Sequence, residues 1–319
     1  MVKGSVVSTV MTDTAILAEN LRKSFGEVVA VDHISLEVPR GSVLGLLGAN
    51  GAGKTTMVRM LTTVLQPDSG RGMVNGFDVQ REPQAVRRSI GLAGQYAAVD
   101  ENLTGRENLV LVGRLNHMAK SAARTRADEL LEQFHLSEAG GRPVRTYSGG
   151  MRRRLDLGAA LVSHPPVLFL DEPTTGLDPA SRLDLWDVIE TLVSDGTTVL
   201  LTTQYLEEAD RLADNIIVID KGLIAAEGTA KQLKAQLGDT VIEFELHSAD
   251  EAGRAAELIG GTVAAGTIVR LVMSSGPSTL RDAMNQLSAA EISPAHVALR
   301  EPTLDDVFLS LTGTNGALS

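Results

Sequence analysis

Three glycines, a lysine and a threonine crowd into the stretch Gly48-Ala49-Asn50-Gly51-Ala52-Gly53-Lys54-Thr55, and together they can hold phosphate. Glycines let the backbone curl so that successive N–H groups turn in on phosphate oxygens, and a helix that follows adds its positive N-terminal end. In such a loop Lys54 reaches the β- and γ-phosphates of a nucleotide, and the Thr55 hydroxyl holds Mg²⁺. Thr56, the next residue, is counted with the loop. Alone, the pattern also fits a plain glycine turn before a helix; three further motifs remove that alternative.

The first is Val167-Leu168-Phe169-Leu170, apolar without alternation as a strand buried on both faces reads, which ends in Asp171-Glu172. Neighbouring strand residues point opposite ways, so the two carboxylates are expected to do different work. Asp171 is the candidate for Mg²⁺ through water, and Glu172 for the general base that polarises an attacking water. The second is Tyr147-Ser148-Gly149-Gly150-Met151, which opens a helix and makes a second phosphate-binding helix end on the same chain. Arg152, Arg153 and Arg154 follow it, read as including solvated face residues, and receive no catalytic role. The third is Gly176-Leu177-Asp178-Pro179, a turn into the next helix.

Three single residues accompany these motifs. Gln95 closes a strand candidate at 89–94, and its amide oxygen can coordinate Mg²⁺ or the attacking water. Gln204 closes another strand, 197–203. Phe25 is a lone ring upstream of the glycine loop, which suits either stacking on a purine base or covering a strand pair.

Positioning these groups takes an α/β fold: a P-loop core with an antiparallel β subdomain, a helical subdomain and a small C-terminal α+β domain. The glycine loop follows the apolar run 43–47 and precedes a stretch, 56–65, with Met57, Met60, Leu61 and Val64 at helical spacing. Residues 15–38 alternate and are β-branched, with a turn at Phe25-Gly26-Glu27. A helical subdomain spans about 95–165, with Leu130, Leu131 and Phe134 on one helix face. The nucleotide-binding domain is placed at 15–238, after a disordered lead at 1–14 that lacks the apolar core of a signal peptide. An accessory domain occupies 239–319, with strands, helices and a capping box at Thr303-Leu304-Asp305-Asp306.

Composition narrows the classes. The formal net charge of -11 disfavours nucleic acid as a partner. With no cysteine there can be no disulfide, thiolate metal site or cysteine nucleophile. The six histidines show no ligand spacing, and no apolar run is long enough to span a bilayer.

The P-loop, the glutamine after a strand, Ser148-Gly149-Gly150, Asp171-Glu172 and Gly176-Leu177-Asp178, in that order, resemble the ATP-binding subunit of ABC transporters. The Ser-Gly-Gly element is specific, because generic P-loop enzymes lack it. The resemblance implies a homodimer in which ATP on one P-loop is capped by the partner's Ser-Gly-Gly helix. It implies that Phe25 stacks adenine, Lys54 and Thr55 hold phosphate and Mg²⁺, Gln95 senses the site, Asp178 borders the nucleotide and Glu172 is the catalytic carboxylate. Gln204 stands where the family usually has histidine; its amide can donate to the γ-phosphate but cannot take up a proton near neutrality. The stretches 202–210 and 301–309 resemble the daunorubicin-resistance branch, in which that glutamine is usual and a C-terminal extension is present.

The expectation is therefore a Mg²⁺-dependent ATPase that powers a drug or lipid exporter from the cytoplasmic face of the membrane. It would dock on separate membrane permease subunits through the region of Gln95, Asp100, Leu103 and Glu107. The alternatives are an ABC-type ATPase not coupled to transport and a module that dimerises on ATP with little turnover.

Overall fold

Long alternating runs make the first two strands, β1 (Thr14–Phe25) and β2 (Val28–Pro39), which fold back antiparallel with Phe25 paired to Val28. They belong to a computed structural model that describes residues 13–94, 99–236, 240–273 and 277–312. Residues 1–12 of the expected lead lie outside that description, and Thr14 already opens β1. Next come β3 (Val43–Leu47), α1 (Lys54–Leu61), β4 (Ser69–Val74), β5 (Phe77–Asp78), α2 (Pro83–Ser89) and β6 (Ile90–Ala93). Strands β2-β1-β4-β5, in that order, form an antiparallel sheet.

Helix α1 is shorter than its apolar spacing predicts. The Thr62 hydroxyl and the Thr62 N–H both donate back to the Val58 carbonyl at 2.8 Å, in the last helical turn. Thr63 then takes a left-handed φ of 64°, and Val64 is 66% exposed instead of packed. Chain direction at this point is set by the threonine pair and not by the next apolar residue.

Helices α3 (Gly105–Leu115), α4 (Lys120–Gln133) and α5 (Gly149–Ala160) pack around Leu109, Leu130, Leu131, Phe134 and Leu155, the face expected from the spacing. A capping box closes the start of α3: Glu107 N–H donates to Thr104 Oγ1 at 3.1 Å and Thr104 N–H to Glu107 Oε2 at 2.8 Å.

The chain returns to the core through β7 (Val167–Asp171), α6 (Pro179–Ser194), β8 (Thr198–Thr203), α7 (Leu206–Leu212), β9 (Asn215–Asp220) and β10 (Leu223–Gly228). The central sheet runs β10-β9-β3-β8-β7-β6. All pairs are parallel except the edge pair β10–β9. Every residue of β3, β7 and β8 is buried, because the sheet is covered on both faces. Leu44, Met57, Phe169 and Leu200 fill one layer, and Val43, Leu168, Leu170, Val199 and Trp186 the other.

The structure divides into two compact units, Met1–Ala230 and Lys231–Ser319. Most of α8 (Ala230–Ala235) therefore goes with the second unit, while the sequence break at 238/239 falls outside the described residues. The second unit contains β11 (Val241–Glu245), α9 (Ala249–Ile259), β12 (Thr262–Ala265), β13 (Ile268–Val272), α10 (Pro277–Ala289), β14 (His296–Arg300) and α11 (Leu304–Thr312). Its sheet order, β12-β13-β11-β14 with antiparallel neighbours throughout, is the ferredoxin-like βαββαβ arrangement. Ile242, Phe244, Ala252, Ala255 and Leu287 form its core. The expected cap at α11 is present, with Asp306 N–H donating to Thr303 Oγ1 at 3.2 Å.

Candidate active site

Parallel strands end together, and this is what gathers the site. In the register Leu47 pairs with Thr203, Thr202 with Asp171, and Leu170 with Ala93. The residues that follow each strand therefore emerge along one edge of the sheet: the P-loop after β3, Gln204 after β8, Glu172 after β7 and Gly94 after β6. Open α/β sheets bind ligands outside the carboxyl ends of their strands, which is the end of the sheet that this edge forms.

The P-loop requires its last glycine. Gly53 has φ +117°, and a Cβ there would lie 2.4 Å from the Ala30 carbonyl oxygen. Helix α1 starts directly behind it, with Lys54 only 4% exposed. The Lys54 ammonium donates to the carbonyls of Gly48 at 2.8 Å and Ala49 at 3.2 Å, and lies 3.7 Å from Glu172 Oε1. Burial pushes its pKa below the usual lysine value, against the opposing pull of the Glu172 and Asp171 carboxylates. The lysine is thus positioned and desolvated, so a phosphate reaching it meets a cation with little competing water.

Asp171 Oδ1 accepts from the Thr55 hydroxyl at 3.1 Å and from the Thr202 hydroxyl at 2.6 Å. One hydroxyl and one carboxylate, adjacent and hard, are oxygen donors of the kind Mg²⁺ takes. No group of three or more His, Asp and Glu side chains among the described residues could hold a metal by itself.

Glu172 is separated from Asp171 by a different device from the one strand alternation suggests. Strand β7 stops at Asp171, and Glu172 takes the left-handed conformation with φ 50°. For a residue with a Cβ that costs about 1–2 kcal/mol. Two bonds from its N–H, to the Thr202 carbonyl and the Thr202 hydroxyl, both at 3.1 Å, hold the turn. The carboxylate then faces Lys54 and accepts from the Thr175 hydroxyl at 3.3 Å, while Asp171 keeps the two threonines. The two carboxylates therefore face different partners, and the cause is the turn.

Ser148 caps α5 by accepting from the Met151 N–H at 3.2 Å. Its two glycines differ in kind. A Cβ on Gly150 would meet the Ser181 hydroxyl at 2.6 Å, so packing against the start of α6 excludes a side chain. A Cβ on Gly149 would meet nothing within 4 Å, and Gly149 is exposed. No steric demand among the described residues accounts for Gly149. Asp178 caps α6, accepting from Ser181 N–H at 3.0 Å and Ser181 Oγ at 2.7 Å, bonds that hold its pKa below the usual aspartate value.

A P-loop, a threonine-bound aspartate, a neighbouring buried glutamate and an exposed Ser-Gly-Gly helix end invite comparison with known proteins. The profile of the ABC transporter family matches residues 31–175. Daunorubicin resistance ATP-binding protein DrrA3 of Streptomyces coeruleorubidus is 55% identical over 309 residues, covering 95% of this chain and 97% of that protein. The chain belongs to this family of ABC ATP-binding proteins. Daunorubicin/doxorubicin resistance ATP-binding protein DrrA of Streptomyces peucetius is 50% identical over 311 residues, covering 94% of this chain and 92% of that protein. Among solved structures, a dimeric ATP-binding cassette in a post-hydrolysis state bound to ADP and Pi is 25% identical with a TM-score of 0.62. It covers 67% of this chain and 98% of its own.

For an ABC ATP-binding protein the remaining candidates fall as follows. Gln204 comes directly after β8, beside Thr203, whose hydroxyl accepts from the Tyr205 N–H at 2.9 Å. Phe25 ends β1 half-exposed, at 51%, with the Lys23 ammonium 5.8 Å from its ring centre. Gln95 lies outside the described residues, as does part of the expected docking region; Gly94 is the last described residue before it. Of that region, Asp100 and Glu107 are engaged in capping the approach to α3. No helix among the described residues is long and apolar enough to cross a membrane.

Two inward-turned groups escaped the sequence reading, one partly and one fully buried. Arg153 is not a solvated face residue: its side chain is 12% exposed and turned onto backbone carbonyls at the catalytic edge. Glu208 is fully buried, accepting from the Trp186 indole N–H at 3.1 Å, and burial lifts its pKa above the usual glutamate value despite the facing Thr203, Trp186, Thr174 and Arg182. An Arg in an Arg triplet and a Glu in an acidic helix start carry no sequence mark of burial; only their spacing from Ser148 and Gln204 could have raised the question.

Proposed function

We propose that this ATP-binding protein is the Mg²⁺-dependent ATPase of a drug exporter, acting as a homodimer docked on separate membrane permease subunits at the cytoplasmic face. The names of its relatives, which refer to daunorubicin and doxorubicin resistance, favour a hydrophobic drug as the exported class.

In this reading Gly48 to Thr56 wrap the triphosphate, and Lys54 offsets charge on the β- and γ-phosphates. Thr55 and Asp171 would hold Mg²⁺, joined by Gln95; the ion would neutralise phosphate charge. Phe25 stacks on the adenine with its free face. Glu172 takes the proton of a water whose oxygen attacks the γ-phosphorus, as the bond from that phosphorus to the bridging oxygen breaks. Gln204 donates its amide N–H to the γ-phosphate. Asp178 borders the shared site next to Ser148, Gly149 and Gly150, which cap the partner's nucleotide. Closure of the dimer on ATP and reopening after hydrolysis would drive the permease, with Asp100, Leu103 and Glu107 in the docking region.

One observation carries the dimer: Gly149 is a glycine at an exposed helix N-terminus with open space where a side chain would go. A glycine without an internal steric reason suits close approach by something external, and a helix N-terminus suits phosphate. The test is the ATPase rate of the purified chain against protein concentration. A rate per subunit that rises with concentration, and that collapses in Lys54→Ala, Ser148→Arg and Glu172→Gln, is expected; loss of a general base alone lowers turnover by about 10²–10⁴-fold. A rate independent of concentration and of Ser148 would overturn the shared site. A wild-type protein that dimerises on ATP without turnover would leave only a binding module.

A further inference from the structure

The guanidinium of Arg153 makes a set of contacts unlike those of its neighbours. Its Nε donates to the Pro173 carbonyl at 2.7 Å, and its Nη2 to the carbonyls of Asp171 and Glu172, each at 3.3 Å. Its Nη1 donates to the Gly94 carbonyl and lies 3.3 Å from Asp156 Oδ2. One side chain thus holds four main-chain oxygens on two separate loops, the one that leads into Gln95 and the one that contains Glu172. Arg152, by comparison, reaches outward to Glu101 at 3.0 Å, and Arg154 reaches the Phe134 carbonyl at 3.4 Å.

The consequence follows from where these oxygens lie. Asp171, Glu172 and Pro173 are the residues of the left-handed turn that separates the two carboxylates. Thr202 holds that turn by its N–H side, and Arg153 holds it by its carbonyl side. Arg153 is itself anchored on α5, five residues after Ser148, about 7.5 Å along the helix axis. Asp156 on the same helix, with its side chain 1% exposed, fixes the guanidinium from behind. A planar fork with five donors can span four carbonyls on two loops at once; a single ammonium, with three donors at one point, reaches fewer.

We infer that Arg153 is a positioning residue that ties the Ser148 helix end to Glu172 and to the loop before Gln95, so that a helix engaged on one nucleotide sets the catalytic carboxylate of the other. This rests on the reading of Glu172 as the general base. Any shift of α5 along its axis is passed to the carbonyls flanking Glu172 through bonds and not through loose packing. Arg153 touches no reacting atom; its effect is on where Glu172 stands.

The experiment compares full-length wild type, Arg153→Met, Arg153→Lys and Glu172→Gln in steady-state ATPase, nucleotide binding by a fluorescent ATP analogue, and thermal unfolding. A drop in kcat of about 10-fold or more in both Arg153 variants is expected, with KM and analogue affinity within about twofold of wild type. Lysine is expected not to rescue, since charge without the fork spans too few carbonyls. In the Glu172→Gln background, Arg153→Met is expected to leave ATP-dependent dimerisation on gel filtration unchanged. Normal kcat in Arg153→Met, full rescue by lysine, loss of dimerisation in the double variant, or parallel loss of kcat, affinity and melting temperature would each overturn the inference. If Glu172→Gln itself keeps turnover, the reading of Glu172 fails; if Glu172→Gln is dead and Arg153→Met is normal, only the coupling fails.

Discussion

Thr202→Val removes one hydroxyl and almost nothing else, and the geometry says what should follow. Thr202 is fully buried, its hydroxyl donates to Asp171 Oδ1 at 2.6 Å, and it accepts from the Glu172 N–H at 3.1 Å. A hydrogen bond to a charged group contributes about 1.5–3 kcal/mol, and Asp171, 6% exposed, has little water to replace the lost donor. The Glu172 N–H keeps its bond to the Thr202 carbonyl, so that side of the loss is small. A net cost of about 2 kcal/mol in a unit of this size lowers the melting temperature by roughly 4–8 °C. Thr202→Ser is the control: it keeps the hydroxyl and gives up one methyl, about 0.8 kcal/mol. Differential scanning calorimetry on wild type and both variants is the assay. Valine is expected to melt clearly below serine, and its turnover to fall further than its stability. If valine melts with or above serine, the hydroxyl bridge between Asp171 and the Glu172 turn contributes nothing, and the account of how that turn is held is wrong.

Other perturbations follow from the same site. Glu208 has a folded pKa raised by burial, so its contribution to stability is present at low pH and is lost as pH rises from the ordinary glutamate value through the folded one. Arg182 and Arg153 are the charges facing it, and neither offsets burial; in Glu208→Gln the melting temperature should therefore fall less with rising pH than in wild type, which melting curves at stepped pH would check. Gly150→Ala drives a methyl to 2.6 Å from the Ser181 hydroxyl and should cost about 1–3 kcal/mol on chemical denaturation. Gly149→Ala meets open space in the first turn of α5 and should leave stability equal or improved by up to about 1 kcal/mol, while ATP-dependent dimerisation on gel filtration weakens.

How much of this was legible beforehand depended on whether a feature is local. The P-loop, the buried strand before Asp171 and the Ser148 cap are written in contiguous residues, and the structure has them where they were read. Features that no contiguous apolar or glycine pattern marks were not legible. Helix α1 stops at Leu61 as Thr63 turns left-handed, which apolar spacing ignores. Strand β12 has no buried residue, so no alternation announced it, and α2 and α7 are short helices without a long apolar stripe. Arg153 follows helical spacing like its neighbours, and only the carbonyls of Gly94 and residues 171–173, far apart in sequence, show that it points inward. The scattered histidines also had a local use that composition concealed: His33, within β2, and His117, His135 and His164 all take a left-handed backbone conformation, in which histidine is enriched.

The fully buried strands behind the catalytic edge have a consequence on the time axis. Amide protons of β3, β7 and β8 lie in the innermost strands of the sheet, so their exchange with solvent should require opening that approaches the whole unit's unfolding free energy. Ser148 and Gly149 stand at an exposed helix end, where amides exchange through small local excursions. The chain therefore carries one slowly exchanging region and one quickly exchanging helix end. In a paired assembly each nucleotide would be met by a rigid floor from one copy and a quickly adjusting cap from the other, and the rate at which the cap settles would be set by helix-end fraying, not by any rearrangement of the floor.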